Sequence, residues 1–148
     1  MLELITYPND ILEQRAERVE EFDEELMDLL TGMIGVMKET GGLGLAANQV
    51  GALKRVILVK NSDRTRDVIM INPRIVKRSK KARKDRESCL SFPGRTFLTE
   101  RPKKITVEFQ HYGGEKKMVI ADGVTAACVL HETDHLNGRL INRFEEIK

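Results

Sequence analysis

His131 and His135 stand four residues apart, with Glu132 beside the first, in the run His131-Glu132-Thr133-Asp134-His135. On a helix, positions i and i+4 share a face, so both imidazoles reach a single cation. Glu132 then sits one step round, close enough to take a proton from a water on that cation. This is the HExxH spacing, and its chemistry is metal-assisted hydrolysis. The competing reading is an exposed helix that happens to carry two unrelated histidines. The flanks oppose it. Asp122-Gly123 offers a start, residues 124–130 are almost wholly apolar, and Asn137-Gly138 supplies a stop. The segment therefore reads as a buried helix, and histidines at the end of a buried helix need partners.

Two histidines leave a catalytic metal one protein ligand short, if one position is to stay open for water. The candidates are Cys89, Cys128, His111 and a carboxylate. Cys128 shares a helix face with His131, but three successive ligands from one helix converge poorly. His111 falls in a hairpin turn. Cys89 lies in Glu87-Ser88-Cys89-Leu90-Ser91-Phe92-Pro93-Gly94, an irregular stretch between strands whose backbone can be aimed at a site. Cys89 is the better choice, with Cys128 its rival. A run of small residues, Gly41-Gly42-Leu43-Gly44-Leu45-Ala46-Ala47-Asn48-Gln49, lets backbone pass close to a ligand and ends on Gln49, whose amide can donate into a cleft. No phosphate-loop lysine follows it, which disfavours a nucleotide site.

These groups must be held by elements that the pattern also announces. Residues 22–38 have helical periodicity, with Leu26, Leu29, Leu30, Met33, Ile34 and Met37 on one stripe. Asp23 is the expected cap, Glu24 and Glu25 suit the positive end of the helix dipole, and Gly41-Gly42 ends it. Short extended runs follow. Residues 55–59 lead into a polar turn at Asn61-Ser62-Asp63; residues 68–72 stop at Pro73, with a further run at Ile75-Val76. Residues 105–109 alternate strictly, turn through Tyr112-Gly113-Gly114 and return along 117–120, a hairpin signal. The expected fold is α+β: antiparallel β-sheets packed around a central C-terminal helix carrying the HExxH motif, plus one N-terminal helix.

With 148 residues, the chain is expected to be one catalytic domain over 1–148 with a core of its own. Its 25 basic and 23 acidic residues leave a net charge of +2, which excludes a chain directed as a whole at a polyanion such as DNA. The first residues carry no basic start and no long apolar run, and no stretch approaches the ~18 apolar residues of a membrane span. A cytoplasmic protein is expected, in which Cys89 and Cys128 serve as ligand or core residues rather than as a disulfide. One segment stands apart: seven of the residues in 77–86 are basic, namely Lys77, Arg78, Lys80, Lys81, Arg83, Lys84 and Arg86. They read as a solvated hairpin tip, or as a patch for a polyanion such as ribosomal RNA.

Three runs together are more specific than any one. Residues 42–49, Glu87-Ser88-Cys89-Leu90-Ser91 and 131–138 occur in the order and spacing of the peptide deformylase family, which the chain resembles over nearly its whole length. Tyr7-Pro8 and Leu12 resemble that family's opening. The resemblance implies removal of the formyl group from N-formylmethionine on nascent chains, with release of formate. It implies Cys89, His131 and His135 as metal ligands and Glu132 as general base and then acid. Gln49 and the backbone N–H of Leu90 would hold the oxyanion. The implied metal is ferrous iron, Fe(2+), with Zn(2+) or Ni(2+) occupying the site in isolated protein. Val124, Ala127 and Cys128 would line the methionine pocket, Leu43 and Gly44 would pair with an extended peptide, and Arg101 would lie near the substrate cleft. Asp134 is expected to orient neighbours or to form a salt bridge.

The chain departs from the family at three places. Ser88 stands where glycine is usual, Leu130 where glutamine is usual, and Asp85 where many members have an apolar residue of the methionine pocket. None removes a catalytic group, but Asp85 leaves the pocket's depth and preference open. The chain ends ten residues after Gly138, short of the longer C-terminal helix of many bacterial members. Two rival functions share some of these features. A zinc endopeptidase also carries HExxH, though its third ligand usually lies downstream, where only Glu145 and Glu146 are available. A ribosome-docking module that has lost catalysis would use the segment 77–86.

Overall fold

The computed structural model describes residues 2–148. Helix α1, Glu24–Thr40, begins where Asp23 Oδ1 accepts the Leu26 N–H at 3.0 Å, and ends where Gly41 turns left-handed at φ 69°. The expected cap and stop are both in place, and the helix between them runs two residues later than the periodic stretch 22–38. Leu26, Leu30, Met33 and Met37 are buried as the stripe requires, but Val36 takes the place given to Ile34, which is 37% exposed.

Strands β1 (Gly44–Ala46), β2 (Val56–Lys60), β3 (Asp67–Arg78), β6 (Lys104–Gln110) and β7 (Lys116–Asp122) form one antiparallel sheet in the order β1-β2-β3-β6-β7. Strands β4 (Ala82–Cys89) and β5 (Phe92–Pro102), with the short β8 (Glu145–Ile147), form a second, in the order β4-β5-β8. The expected hairpin over 105–120 is β6 with β7. Helix α2, Gly123–Leu136, is the central helix that bears the HExxH run. Asp122 precedes it but makes no side-chain cap; the Gly123 N–H is instead satisfied by Lys103 O at 3.0 Å.

β2 explains the layering. It is apolar at every position from 56 to 59, because both its faces are covered. Ile57 and Val59 pack with Ala126, Val129 and Leu136 of α2. Val56 and Leu58 pack with Leu26, Leu30, Met33 and Met37 of α1. Each such side chain fully buried contributes ~1.5–3 kcal/mol, so this helix–sheet–helix sandwich is the main source of stability. A third cluster of Leu12, Cys89, Phe92, Phe97, Leu140 and Ile141 closes the second sheet onto the chain ends.

Three expectations about the strands change. Pro73 does not stop β3, because Asn72 turns left-handed (φ 53°) and the register shifts between Ile71 and Arg74, so a bulge absorbs the missing N–H. The basic segment 77–86 is no hairpin tip. Lys77 and Arg78 end β3 in one sheet while Arg83, Lys84 and Arg86 lie on β4 in the other, so the segment is the crossover between sheets. Cys89 belongs to no irregular stretch; it closes β4 at a register shift, immediately before the turn Leu90-Ser91.

Candidate functional site

α2 is aimed by its C-terminal end. The orphan carbonyls there find partners that the sequence left unmarked: Asn48 Nδ2 donates to His135 O at 2.9 Å, and Arg55 Nη1 donates to Leu136 O at 3.0 Å. The Ala16 N–H adds a third bond to Leu136 O at 2.8 Å. Held so, both histidines point toward the last residue of β4. Cys89 Sγ lies 3.3 Å from His135 Nε2, and donor atoms of Cys89, His131 and His135 all lie within 4.8 Å of one another. Cys128 does not join this group, so the rivalry over the third donor is resolved by geometry in favour of Cys89.

The cluster fits a metal ion. Thiolate and imidazole ligands at ~2.3 and ~2.0 Å around a tetrahedral ion stand ~3.5 Å apart, close to the 3.3 Å between Cys89 Sγ and His135 Nε2. His131 Nδ1 lies 3.1 Å from Glu87 Oε1. A carboxylate only accepts, so Nδ1 carries the proton and the Nε2 lone pair is left for a cation. Burial pushes His135 well below the usual imidazole range, His131 and Arg101 adding to this, and so keeps it neutral as a ligand must be. Burial also acts downward on His131, yet Glu132, Cys89 and Glu87 together hold it well above that range. Their crowding marks a place where positive charge is wanted.

Glu132 is 5% exposed and its Oε1 has no hydrogen-bond partner. Burial pushes its carboxyl up to about 7, against the pull of His131 and Arg101. Gln49 is fixed on both sides. Its Oε1 accepts the Ala46 N–H at 2.9 Å, and its Nε2 donates to Ser91 Oγ at 3.0 Å while facing Cys89 Sγ at 3.8 Å. Ser91 is braced by donating to Ile5 O at 2.7 Å.

A cavity of about 580 Å³ opens in front of these groups. Leu43, Gly44, Gln49, Cys89, Leu90, Val124, Ala127, Cys128, His131 and Glu132 line it, so the structure gathers nearly every candidate from the sequence. His135 lies behind Cys89, 1% exposed. Burial, with Glu132 next, pushes the Cys128 thiol up to about 12, so it stays protonated. Asp85 is in the cavity wall beside Arg86.

Arg101 is the exception. It does not line the cavity but is buried behind it, donating from Nε and Nη2 to Glu87 at 2.8 and 3.1 Å and from Nη1 to Asp134 Oδ2 at 3.1 Å. Glu87 was missed by the sequence reading, and it is the hub: it accepts from Thr99 as well, at 2.7 Å. Burial works against its charge, but bonds from His131, Arg101 and Thr99 win and hold its carboxyl at about 2. Asp134 completes the chain by pairing with Arg143 at 2.7 Å. The signal available in sequence was the period-2 spacing of Glu87 with Cys89, which places them at alternate strand positions two apart and thus on one face.

A buried sulfur and two ring nitrogens at metal spacing, with an unpartnered carboxylate on the same cleft, set this fold among the metal-dependent hydrolases. Residues 1–148 match the family model for polypeptide deformylase. The peptide deformylase of Natranaerobius thermophilus is 41% identical over 145 residues, covering 96% of this chain and 91% of the relative; that of Finegoldia magna is 36% identical over 140 residues, covering 94% and 86%. The crystal structure of the Thermotoga maritima peptide deformylase superposes with a TM-score of 0.93 at 35% identity, covering 98% of this chain and 97% of that one. The chain belongs to the polypeptide deformylase family.

Proposed function

We propose that this enzyme removes the formyl group from the N-terminal formylmethionine of newly made polypeptides and releases formate. The observation that carries the reading is the gathering of Cys89, His131 and His135 within 4.8 Å of one another, beside a cavity that Glu132 and Gln49 also line. Cys89, His131 and His135 would hold the metal. A divalent ion so held supplies a Lewis acid that polarises a carbonyl and brings the pKa of a coordinated water down to ~7. Ferrous iron is proposed as the resident ion, with zinc or nickel replacing it in isolated protein; mixed thiolate and imidazole donors suit all three.

The remaining work falls to the chain's own groups. Glu132, with a free oxygen and a carboxyl near about 7, takes the proton of the attacking water and hands it to the leaving amine as the C–N bond breaks. Gln49 Nε2 and the Leu90 N–H donate to the formyl oxygen as the carbon becomes tetrahedral, each worth ~3 kcal/mol in the transition state. Among the described residues β1 is an edge strand that pairs only with β2, so Leu43 and Gly44 offer a free strand edge to an extended peptide. Val124, Ala127 and Cys128 receive the methionine side chain. Residues 1–148 act as one catalytic unit. No helix of the described residues is long and apolar enough to cross a membrane, in keeping with a cytoplasmic site of action. The cationic crossover 77–86 is proposed to contact ribosomal RNA, which salt-dependent co-sedimentation with ribosomes tests.

The decisive measurement is formate release from a formyl-Met tripeptide beside cleavage of an unformylated protein. Wild type should release formate and leave the protein intact. Glu132→Gln should lose about 10²–10⁴-fold in kcat while keeping its metal content. Internal cleavage of the protein, or a Glu132→Gln variant as fast as wild type, would defeat the reading.

A further inference from the structure

Arg64 and Arg86 both line the cavity in front of Cys89, His131 and Glu132, and both are exposed. Neither forms an ion pair among the described residues. The carboxylates of the same wall are otherwise engaged. Asp85 holds Arg83 at 2.9 Å and accepts the Arg86 N–H at 2.8 Å. Glu87 is enclosed by Arg101, Thr99 and His131. Glu132 is buried at the floor, 5% exposed. A peptide entering the cavity therefore passes a rim that carries two arginines without ion-pair partners among the described residues.

The backbones of both residues are held by the fold. Arg86 lies on β4, on the exposed strand face opposite to Glu87 and Cys89, so it belongs to the rim of the cavity. Arg64 tops the β2–β3 turn, where the Arg64 N–H bonds Asn61 O at 2.9 Å and the Thr65 N–H bonds Asn61 Oδ1 at 3.0 Å and Asp63 Oδ1 at 3.1 Å. The field of Arg64 reaches the Cys128 thiol on α2. The two arginines thus approach the cavity from separate elements of its wall.

We infer that Arg64 and Arg86 make this enzyme select N-formyl peptides bearing a carboxylate side chain within the first residues after methionine, over peptides bearing lysine there. The inference rests on the deformylase reading above. Guanidinium forks match carboxylates in a bidentate way and repel ammonium groups. Because both arginines are exposed, each contact is weak and screened by salt, so the joint preference is modest.

The test compares kcat/KM for formyl-Met-Ala-Ser, formyl-Met-Ala-Glu and formyl-Met-Ala-Lys at low and high ionic strength. The glutamate-to-lysine ratio should be about fivefold at low salt and approach unity at high salt. It should also approach unity in the double variant Arg64→Ser, Arg86→Ser. Arg78→Ser removes the same charge outside the cavity and should keep the ratio, and Arg86→Lys should keep most of it. A wild-type ratio near unity at low salt, or one that survives the double variant, overturns the inference. If formyl-Met-Ala-Ser is hydrolysed and the ratio is flat, charge selection alone falls. If that peptide is not hydrolysed at all, the deformylase reading falls with it.

Discussion

At the scale of single residues, Gly44 shows how little room the site leaves. A Cβ at Gly44 would stand 2.6 Å from Glu132 Oε2 and 3.0 Å from its Cγ, closer than atoms pack. Gly44→Ala must therefore displace Glu132. Since a shift near 1 Å in a reacting group costs on the order of a hundredfold, formate release should fall by about that much, with the circular dichroism spectrum unchanged. Glu87 yields a second expectation. Its folded carboxyl sits at about 2, against an ordinary 4.5. A group depressed in this way adds stability that is fully present above pH ~4.5 and is lost as pH falls toward 2. The difference corresponds to ~3 kcal/mol. Acid titration of unfolding should show wild type losing more stability across that window than Glu87→Gln, which starts lower and falls less. Parallel curves would remove Glu87 from the account.

Among the elements, β3 carries the most informative departure from its local pattern. Asn72 takes a left-handed backbone just before Pro73, and its side chain then bridges three segments. It accepts the Val19 N–H at 2.8 Å and donates to Val19 O at 3.0 Å and Gln110 Oε1 at 2.9 Å. The bulge that lets β3 run past its proline also fastens the N-terminal arm to the sheet. Asn72→Ala loses three bonds and keeps an unfavourable φ, so it should lower stability by ~2–3 kcal/mol. The urea midpoint measures this, and a change under ~0.5 kcal/mol would show that the arm is held elsewhere. Periodicity revealed α1 and the β6–β7 hairpin, and the histidine spacing with its flanking start and stop signals revealed α2, because each is built from contacts close in sequence. The passage of β3 beyond Pro73 was hidden, because its reason is the partner strand and not the proline's neighbours.

For the molecule as a whole, the metal cluster is a joint between layers. Cys89 ends β4 in the smaller sheet, while His131 and His135 come from α2, packed on the larger one. A ligand that binds the folded state alone stabilises it by mass action, ~3–4 kcal/mol when its concentration is 100 to 1,000 times Kd. Stripping the metal with a chelator should lower Tm by several degrees, and restoring it anaerobically should recover both Tm and activity; an unchanged Tm would mean the layers need no ion to stay together. What residue order alone determined about this protein was the histidine pair with Glu132 and its chemistry, while the third donor stayed open between Cys89 and Cys128 until β4 met α2. A spacing of four is a property of the helix, and the glycine-rich and cysteine-bearing runs identify their family by local composition. Folding alone decided that Arg101 pairs with Glu87 and Asp134 behind the cavity wall and does not line the cavity. Those partners lie 14 and 33 residues from it, and Glu87 lies 44 from His131. Along a chain so rich in charge, each reads as an ordinary surface residue until the two sheets and α2 close around them and exclude the water that would otherwise screen them.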